Sequence, residues 1–478
     1  MGVFRLSRLG PPQQALLRAT LAAAGRRAAP ALVGGVVRDA WLGRGDGDLD
    51  VAVPAGALAL ARRAAARVGG TVVVLDAERG AARVVLGRHH VDVVDFRAPS
   101  LEADLAARDF TVNALAVDLR ALLSRRQAPV IDPTGGLEDL RGRRLRAAGP
   151  RVLADDPLRA LRGVRLEAVL GLRLTPATVR AIREVAPALA RVAVERIRDE
   201  LLLTLGTARS GRALRRADSL GLLGRVLPEI EAMRGVGQPA PHRFDVLEHS
   251  LRAVEATDRL LPRLGRLVPF GEELVPHMRE PLGGGVTRGT ALRLAALLHD
   301  VAKPETRRVV DGRVRFFEHD TRGAERARQI GERLRLPGRV TDVVERLVRH
   351  HLRPMHLAQA DTITRRARYR FYRDLGEETR DLLLLALVDA AALTGASPLH
   401  TWRRAGVVRD LLAGWRKQEA ALVGGSLLTG DDVMARLGIP PGPAVGFHLE
   451  RIREAQALGL VGTRAEALAY LDSSAGAP

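Results

Sequence analysis

The chain has 478 residues, 46% hydrophobic and 27% charged, so it is too long for one ordinary core and too apolar to be disordered; two to four domains are expected. It contains no cysteine, which excludes disulfides, thiolate metal sites and cysteine nucleophiles. The formal charge of +20 is almost wholly arginine, since Lys303 and Lys417 are the only lysines. Arginine stays charged and grips phosphate with a planar fork, so a polyanion such as RNA is the expected partner. A GC-rich genome would enrich Arg, Ala, Gly and Leu in the same way, and 3% aromatic content argues against broad base-stacking platforms. The start lacks an apolar core before a small-residue cleavage site, and the most apolar run, Leu382 to Leu393, is broken by Asp389 and too short for a bilayer. No membrane association and a cytoplasmic location are therefore expected.

A leading helix is predicted over Gln13 to Ala24. The stretch Leu32 to Val53 then reads as a short strand, a Gly34-Gly35 turn, a helical turn opening at Val36, and a second strand bearing Asp48 and Asp50. Alternation places the two carboxylates on one face and Leu49, Val51 and Val53 on the other. Paired carboxylates repel unless a divalent cation lies between them; Mg²⁺ takes hard oxygen ligands and leaves positions for substrate phosphates. The glycines offer bare N–H groups to a phosphate chain. The stretch is thus suited to a nucleoside triphosphate and its metal, although a surface turn rich in Gly and Asp would read the same way, and Asp46 with Asp48 has the same spacing. Helix Ala57 to Val68 and strands Thr71 to Leu75, Arg83 to Leu86 and His90 to Phe96 follow, the last with Asp92 and Asp95 on opposite faces. A small α/β domain on one sheet is expected up to about Asp118.

From Asp132 onward the pattern is helical until a strand run at Val309 to Phe317, with a domain boundary at Gly235 to Pro241 and a mobile loop expected around Gly271 and Gly283 to Gly285. The segment Leu427 to Leu471 is helical with a break at Pro440-Pro441-Gly442. Within this order lie further chemistry-bearing residues. Arg108 and Asp109, in RDFTVNA, can serve phosphate and a ribose hydroxyl, or Asp109 can simply cap a helix. Asp156 precedes Pro157 at a helix start, with Arg159 and Arg162 near one face; they can address the edge of a base, or form a cap and a solvated basic stripe.

In the C-terminal half, His249, His299, Asp300 and Asp389 have the order of an HD metal-dependent phosphohydrolase, with His319 and the His350-His351 pair as further donors for a second metal position. Imidazole and carboxylate suit a divalent transition metal, and Asp389 in an apolar helix is costly unless paired or ligating.

The ordered segments Leu32 to Val53, Arg108 to Ala114, Gly135 to Leu140, Asp155 to Arg165 and Gly430 to Gly459 resemble the class II tRNA nucleotidyltransferases and bacterial poly(A) polymerases of the polymerase-β-like superfamily. The resemblance implies an α+β chain: a head on a mixed sheet (1–145), then a mostly helical neck (146–237), an HD domain (238–400) and a tail (401–478). It implies that Asp48, Asp50 and Asp92 are catalytic, with Mg²⁺ held by Asp48 and Asp50. Gly34, Gly35, Arg38 and Asp39 would hold the triphosphate, Arg108 and Asp109 ribose and phosphate, and Asp156, Arg159 and Arg162 the base. The partners implied are tRNA, CTP and ATP. Only Ala98 to Ala103 separate Arg97 from Asp104, where CCA-adding and poly(A)-adding members carry a long flexible loop; this shortening resembles enzymes that add two C residues and stop. Poly(A) polymerase, and an RNA-end phosphohydrolase with a non-polymerising head, remain the alternatives.

Overall fold

Leu49, Val51 and Val53 are buried on one side of a five-residue strand, and Asp50 and Ala52 project to the other, as the alternation predicts. This strand is at the centre of an eight-stranded sheet in the computed structural model, which describes residues 2–25, 28–44, 48–360, 362–423 and 426–474. Asp46 lies outside the described residues. The strands are β1 (Val3–Arg5), β2 (Ala31–Val33), β3 (Leu49–Val53), β4 (Thr71–Asp76), β5 (Ala81–Leu86), β6 (His89–Asp95), β7 (Ala116–Asp118) and β8 (Gln127–Ile131), in the order β1-β8-β7-β2-β3-β6-β5-β4. All neighbours are antiparallel except β3 and β6, whose parallel register sets Asp50 beside Asp92 and Ala52 beside Val94. The sheet is therefore mixed, as expected. Helices Pro11–Ala23 and Ala57–Val68 pack together on its β4–β6 side, burying Leu16, Leu17, Leu60 and Ala64. On the opposite face Ala31, Val33, Ala52 and Ala116 meet Leu105 and Ala114.

After β8 the chain turns helical. Gly136 opens the short helix Gly136–Arg141, and a Cβ there would lie 2.1 Å from the Thr111 carbonyl oxygen, so only glycine fits. Asp139 on this helix is buried and accepts from Thr111 Oγ1, Arg144 and Arg146. Two compact units are distinguished: residues 1–200 with 216–226, and residues 201–215 with 227–478.

The second unit is built around helix Arg288–Leu298, every residue of which is buried. Helices Val246–Leu260, Gly338–His350 and Thr379–Thr394 pack against it. The run from Leu382 is a core helix, and no single helix among the described residues is long and apolar enough to cross a membrane. Two expectations are corrected here. The glycines expected in a loop lie in regular elements: Gly271 begins helix Gly271–Arg279, and Gly283 to Gly285 supply the positive φ angles of a tight turn between strands Pro281–Gly283 and Val286–Thr287. The run Val309 to Phe317 is a hairpin rather than one strand, because Asp311 and Gly312 both adopt positive φ, the requirement of a two-residue type I′ turn. The C-terminal helices Gly430–Leu437, Pro443–Ala457 and Arg464–Ser474 enclose their own core of Leu428, Val433, Val445, Ile452 and Leu471, with Thr429 and Asp432 forming a reciprocal cap.

Candidate functional sites

The head site grows from β2. Its last residue, Val33, leads into Gly34, whose φ of +80° reverses the chain into helix Gly35–Trp41. A Cβ on Gly34 would lie 3.0 Å from Arg108 Nη1 and 3.5 Å from Asp50 Oδ2, so the bare backbone is what lets those two groups approach. From the same helix Arg38 holds Asp39 with two hydrogen bonds of 2.9 and 2.8 Å and donates to Asn113 Oδ1. Asn113 in turn donates to Asp109 Oδ1, 3.0 Å away, and Asp109 also receives Arg162 and the Phe110 N–H. Arg162 and Arg165 share the buried Glu200. These residues line a cavity of about 390 Å³ whose wall carries Arg38, Arg97, Arg108, Arg159, Arg162 and Arg165, with Asp50 at its edge. Asp95, Asp104 and Asp109 also line it, so six arginines face four carboxylates and the pocket keeps a positive balance suited to an anion.

Two further carboxylates, Asp92 and Asp48, act on Asp50 through their charge. Asp92 is neutralised by Arg83 through two hydrogen bonds of 2.7 and 2.9 Å. Burial, then the charge of Asp92, pushes Asp50 up to about 6, against the opposing pull of Arg108. Asp48 precedes β3, is 77% exposed, and lies 3.4 Å from His90 Nε2. Carboxylate oxygens are the hard ligands that Mg²⁺ takes, and Asp50, raised by burial and like charge, is the one of the three that borders the cavity. Asp156 is not on the wall of the arginine cavity. It lines the adjoining cleft with Arg159, which borders both, and accepts from Arg196 at 2.8 Å. Burial works against its ionisation, but Arg196 and Arg159 outweigh this and hold it below the usual carboxylate range. It also receives the Leu158 N–H at 3.3 Å, but the helix Leu158–Leu170 is preceded directly by Pro157, so Asp156 is not its capping residue and that expectation is corrected.

In the second unit, the central helix ends at His299, placing His299 and Asp300 in its interior. His249 Nε2 lies 2.9 Å from Asp389 Oδ1, and His299 Nε2 lies 3.7 Å from the same oxygen. Asp300 spans two donor groups. Its Oδ2 is 3.2 Å from His299 Nε2, and its Oδ1 is 3.6 Å from His319 Nε2 and 3.7 Å from His351 Nε2. The Nδ1 atoms of His299, His319 and His351 each face a backbone carbonyl, of Ala296, Phe316 and Val348, which aims the Nε2 atoms inward. His319 Nε2, His351 Nε2 and Asp300 Oδ1 are buried without a hydrogen-bond partner. Unpartnered buried ligand atoms of this kind fit divalent ions, which would be held by two groups: His249, His299 and Asp389, and Asp300, His319 and His351.

The expected His350 is corrected. Successive helical residues point about 100° apart, and at the end of helix Gly338–His350 it is His351 that enters the cluster. His350 lies instead among Arg353, Asp374, Arg349 and Arg346; burial and Arg353 hold it at about 4. His351 also falls to about 4, by burial and the charge of His299. Burial opposes protonation of His299, but Asp300 overcomes it, and Asp300 is held well below its ordinary value by His299 and Lys303 despite its burial. Lys303 donates to Asp300 and to Gln238, each at 2.6 Å.

Three parts of the chain match known domain families: residues 31–146 the poly A polymerase head domain, 171–234 the "probable RNA and SrmB-binding site of polymerase A", and 246–392 the HD domain. The A-adding tRNA nucleotidyltransferase of Deinococcus radiodurans is 40% identical over 452 residues, spanning 92% of this chain and 94% of that protein. The chain belongs to the tRNA nucleotidyltransferase family. Another member, the CC-adding tRNA nucleotidyltransferase of Thermus thermophilus, is 37% identical over 92% of each chain. The Bacillus stearothermophilus CCA-adding enzyme in complex with CTP has the same fold, with a TM-score of 0.63 at 25% identity and 98% of each chain covered.

Several partners in this tRNA nucleotidyltransferase are not evident from motif reading. Arg83 and Glu200 neutralise site charges from outside any motif. Asn113 lies within the quoted RDFTVNA stretch, and its position at the end of a 3₁₀ turn is what links Arg38 to Asp109. Lys303, four residues after His299, could have been found from its rarity, being one of two lysines.

Proposed function

We propose that the head adds CMP to the 3′ end of tRNA, without a nucleic-acid template, and stops after two additions. The arginine-lined cavity beside Asp50 carries the nucleotidyl-transfer reading. Arg38 and the Gly34 and Gly35 backbone hold the triphosphate, with Asp39 fixing Arg38. Arg108 and Asp109 hold phosphate and ribose, while Asp156, Arg159 and Arg162 address the base. Asp48, Asp50 and Asp92 are the groups that would hold Mg²⁺. When bound there, such ions supply the positive charge that favours ionisation of the RNA 3′-hydroxyl and departure of pyrophosphate. The arginines orient the α-phosphate for in-line attack and take up charge on the leaving group.

CMP specificity is supported by the short connection after β6. Ser100 caps helix Leu101–Ala106, and the Arg97 N–H donates to Asp104, so there is no long loop to reshape the pocket. A second reading, addition of the terminal AMP only, is favoured by the likeness to the Deinococcus radiodurans A-adding enzyme. Primer extension on tRNA transcripts ending before CCA, after C and after CC, with CTP, ATP or both, decides between them. Two C residues and no A supports the first reading. A single A on the CC-ended transcript supports the second, and no addition to any transcript overturns both.

For the HD centre we infer phosphohydrolase activity on RNA 3′ ends. His249, His299, Asp300, Asp389, His319 and His351 would hold divalent transition metals, which supply Lewis-acid charge for phosphate-ester hydrolysis. Lys303 keeps Asp300 ionised and oriented. Hydrolysis of a 2′,3′-cyclic phosphate by the wild type and its loss in His299→Ala would support this reading; equal rates in both would overturn it.

A further inference from the structure

The chain between Asp300 and His319 is an exposed hairpin, strands Arg307–Val310 and Arg313–Phe316. Its register puts Arg308 opposite Arg315 and Val310 opposite Arg313. Directly opposed residues share a face, and so do residues two apart, so Arg308, Arg313 and Arg315 stand together on one side. Like charges directly opposite destabilise a strand pair, and an isolated two-stranded hairpin is marginal to begin with. None of these three arginines pairs with a described carboxylate. The contrast with the neighbouring surface is plain: Arg322 and Arg326 are neutralised by Glu325 and Glu305. Exposed apolar groups flank the arginines, with Val309 60%, Val310 42% and Phe317 56% exposed. Phe317 offers a ring face in a chain that has few.

The other side of the hairpin is tied to the metal-ligand cluster. Lys303 Nζ lies 5.5 Å from the centre of the Phe316 ring, and the Phe316 carbonyl faces His319 Nδ1 at 2.9 Å. The unneutralised arginines are thus mounted on the segment that carries Lys303 at one end and His319 at the other.

We propose that this hairpin is an RNA-holding arm of the HD centre. Arg308, Arg313 and Arg315 grip the phosphate backbone of a single-stranded RNA, Phe317 stacks on a base, and the strand's end reaches Asp300 and its histidines. Arg313 and Arg315 are about 7 Å apart along their strand, comparable to the step between phosphates of an extended chain. The arm deepens the phosphohydrolase reading given above and rests on it for its purpose, though not for its binding.

The test is the full chain carrying Arg308→Gln, Arg313→Gln and Arg315→Gln. Two probes are compared: a single-stranded oligoribonucleotide ending in a 2′,3′-cyclic phosphate, and the mononucleotide 2′,3′-cyclic AMP. The ratio of kcat/KM for oligonucleotide over mononucleotide is expected to fall about tenfold, through KM, and the salt slope of oligonucleotide binding to shrink by about 2, from three lost contacts at roughly 0.7 each. Thermal melting checks folding, and relief of the Arg308–Arg315 opposition should leave Tm unchanged or higher. An unchanged ratio and slope in a folded variant would overturn the arm. If the wild type hydrolyses neither probe, the phosphohydrolase reading fails, and the salt slope alone still decides whether the arm binds RNA.

Discussion

Asp50 on β3 stands directly beside Asp92 on β6, the one parallel pairing of the head sheet. Arg83 hydrogen-bonds Asp92 and not Asp50, and burial and the charge of Asp92 push Asp50 up to about 6 against the weaker pull of Arg108 and Arg83. The folded value lies above the unfolded one, so between about 4 and 6 the folded state binds the extra proton. Metal-free stability therefore falls as pH rises through that window, by roughly 3 kcal/mol once the group is ionised. Asp50→Asn removes this cost. In chelator at pH 8 the variant should melt at or above the wild-type temperature, with the advantage gone near pH 4, while nucleotide incorporation drops at least about 100-fold. A less stable variant at pH 8 would show that Asp50 is structural.

The same window governs Mg²⁺. Carboxylate ligands must be ionised to bind, so metal competes with the proton on Asp50. The rise in Tm produced by Mg²⁺ should grow between pH 5 and pH 7 and level off above, and it should be absent in Asp50→Asn. A gain independent of pH would place the ion elsewhere.

Local periodicity displays the burial of Leu49, Val51 and Val53 opposite Asp50, while Asp48 lies just before the strand rather than on it, and the grouping of His249, His299, Asp300 and Asp389 was legible only through the resemblance to HD proteins. The partners that set their charges are not displayed in either way. Arg83 meets Asp92 only because β5 pairs with β6 in one register, and Glu200 meets Arg162 from 38 residues away. Nor could His350 and His351 be told apart, since the difference is one step of helical rotation. The hairpin at Arg307 to Phe316 was read as a single strand, although its Asp311-Gly312 pair is the turn signal itself.

Glu200 holds two arginines of the cavity wall, Arg162 and Arg165, the first of which is proposed to address the base. It is buried and takes Arg162 Nε and two nitrogens of Arg165. Glu200→Gln keeps the volume and removes the charge, so both arginines lose their fixed orientation. We expect KM for the nucleotide to rise about tenfold with kcat changed less, and discrimination between CTP and ATP to weaken. A purely structural role would lower the active fraction and leave both KM and discrimination unchanged.

In the HD centre the two adjacent histidines separate by substitution. His351 is held at about 4, so it is a neutral donor at any pH above 5. Its replacement by Ala removes one member of the Asp300–His319–His351 group and should reduce bound transition metal from two ions to one per chain, measured by elemental analysis after dialysis. His350→Ala should retain two. Equal metal content in the two variants would contradict the assignment.

Away from both sites, Asp381 is fully buried with His277 Nε2 at 2.6 Å and Arg288 Nη1 at 3.2 Å. Arg288 is itself only 2% exposed and reaches Glu280, Glu377 and Glu378 as well. Such a cluster need add little net stability, because desolvation offsets attraction, yet removing one member leaves the rest buried and unbalanced. Asp381→Ala should therefore destabilise the second unit by about 3–5 kcal/mol, far more than loss of the exposed pair Arg436–Asp472. Urea unfolding followed by tryptophan emission reads this unit once Trp41 of the first unit is replaced by Phe, since Trp402 and Trp415 belong to the second and pack beside Phe270 and Tyr372. A midpoint shift no larger than that of Asp472→Ala would mean that the Arg288 carboxylate partners suffice without Asp381.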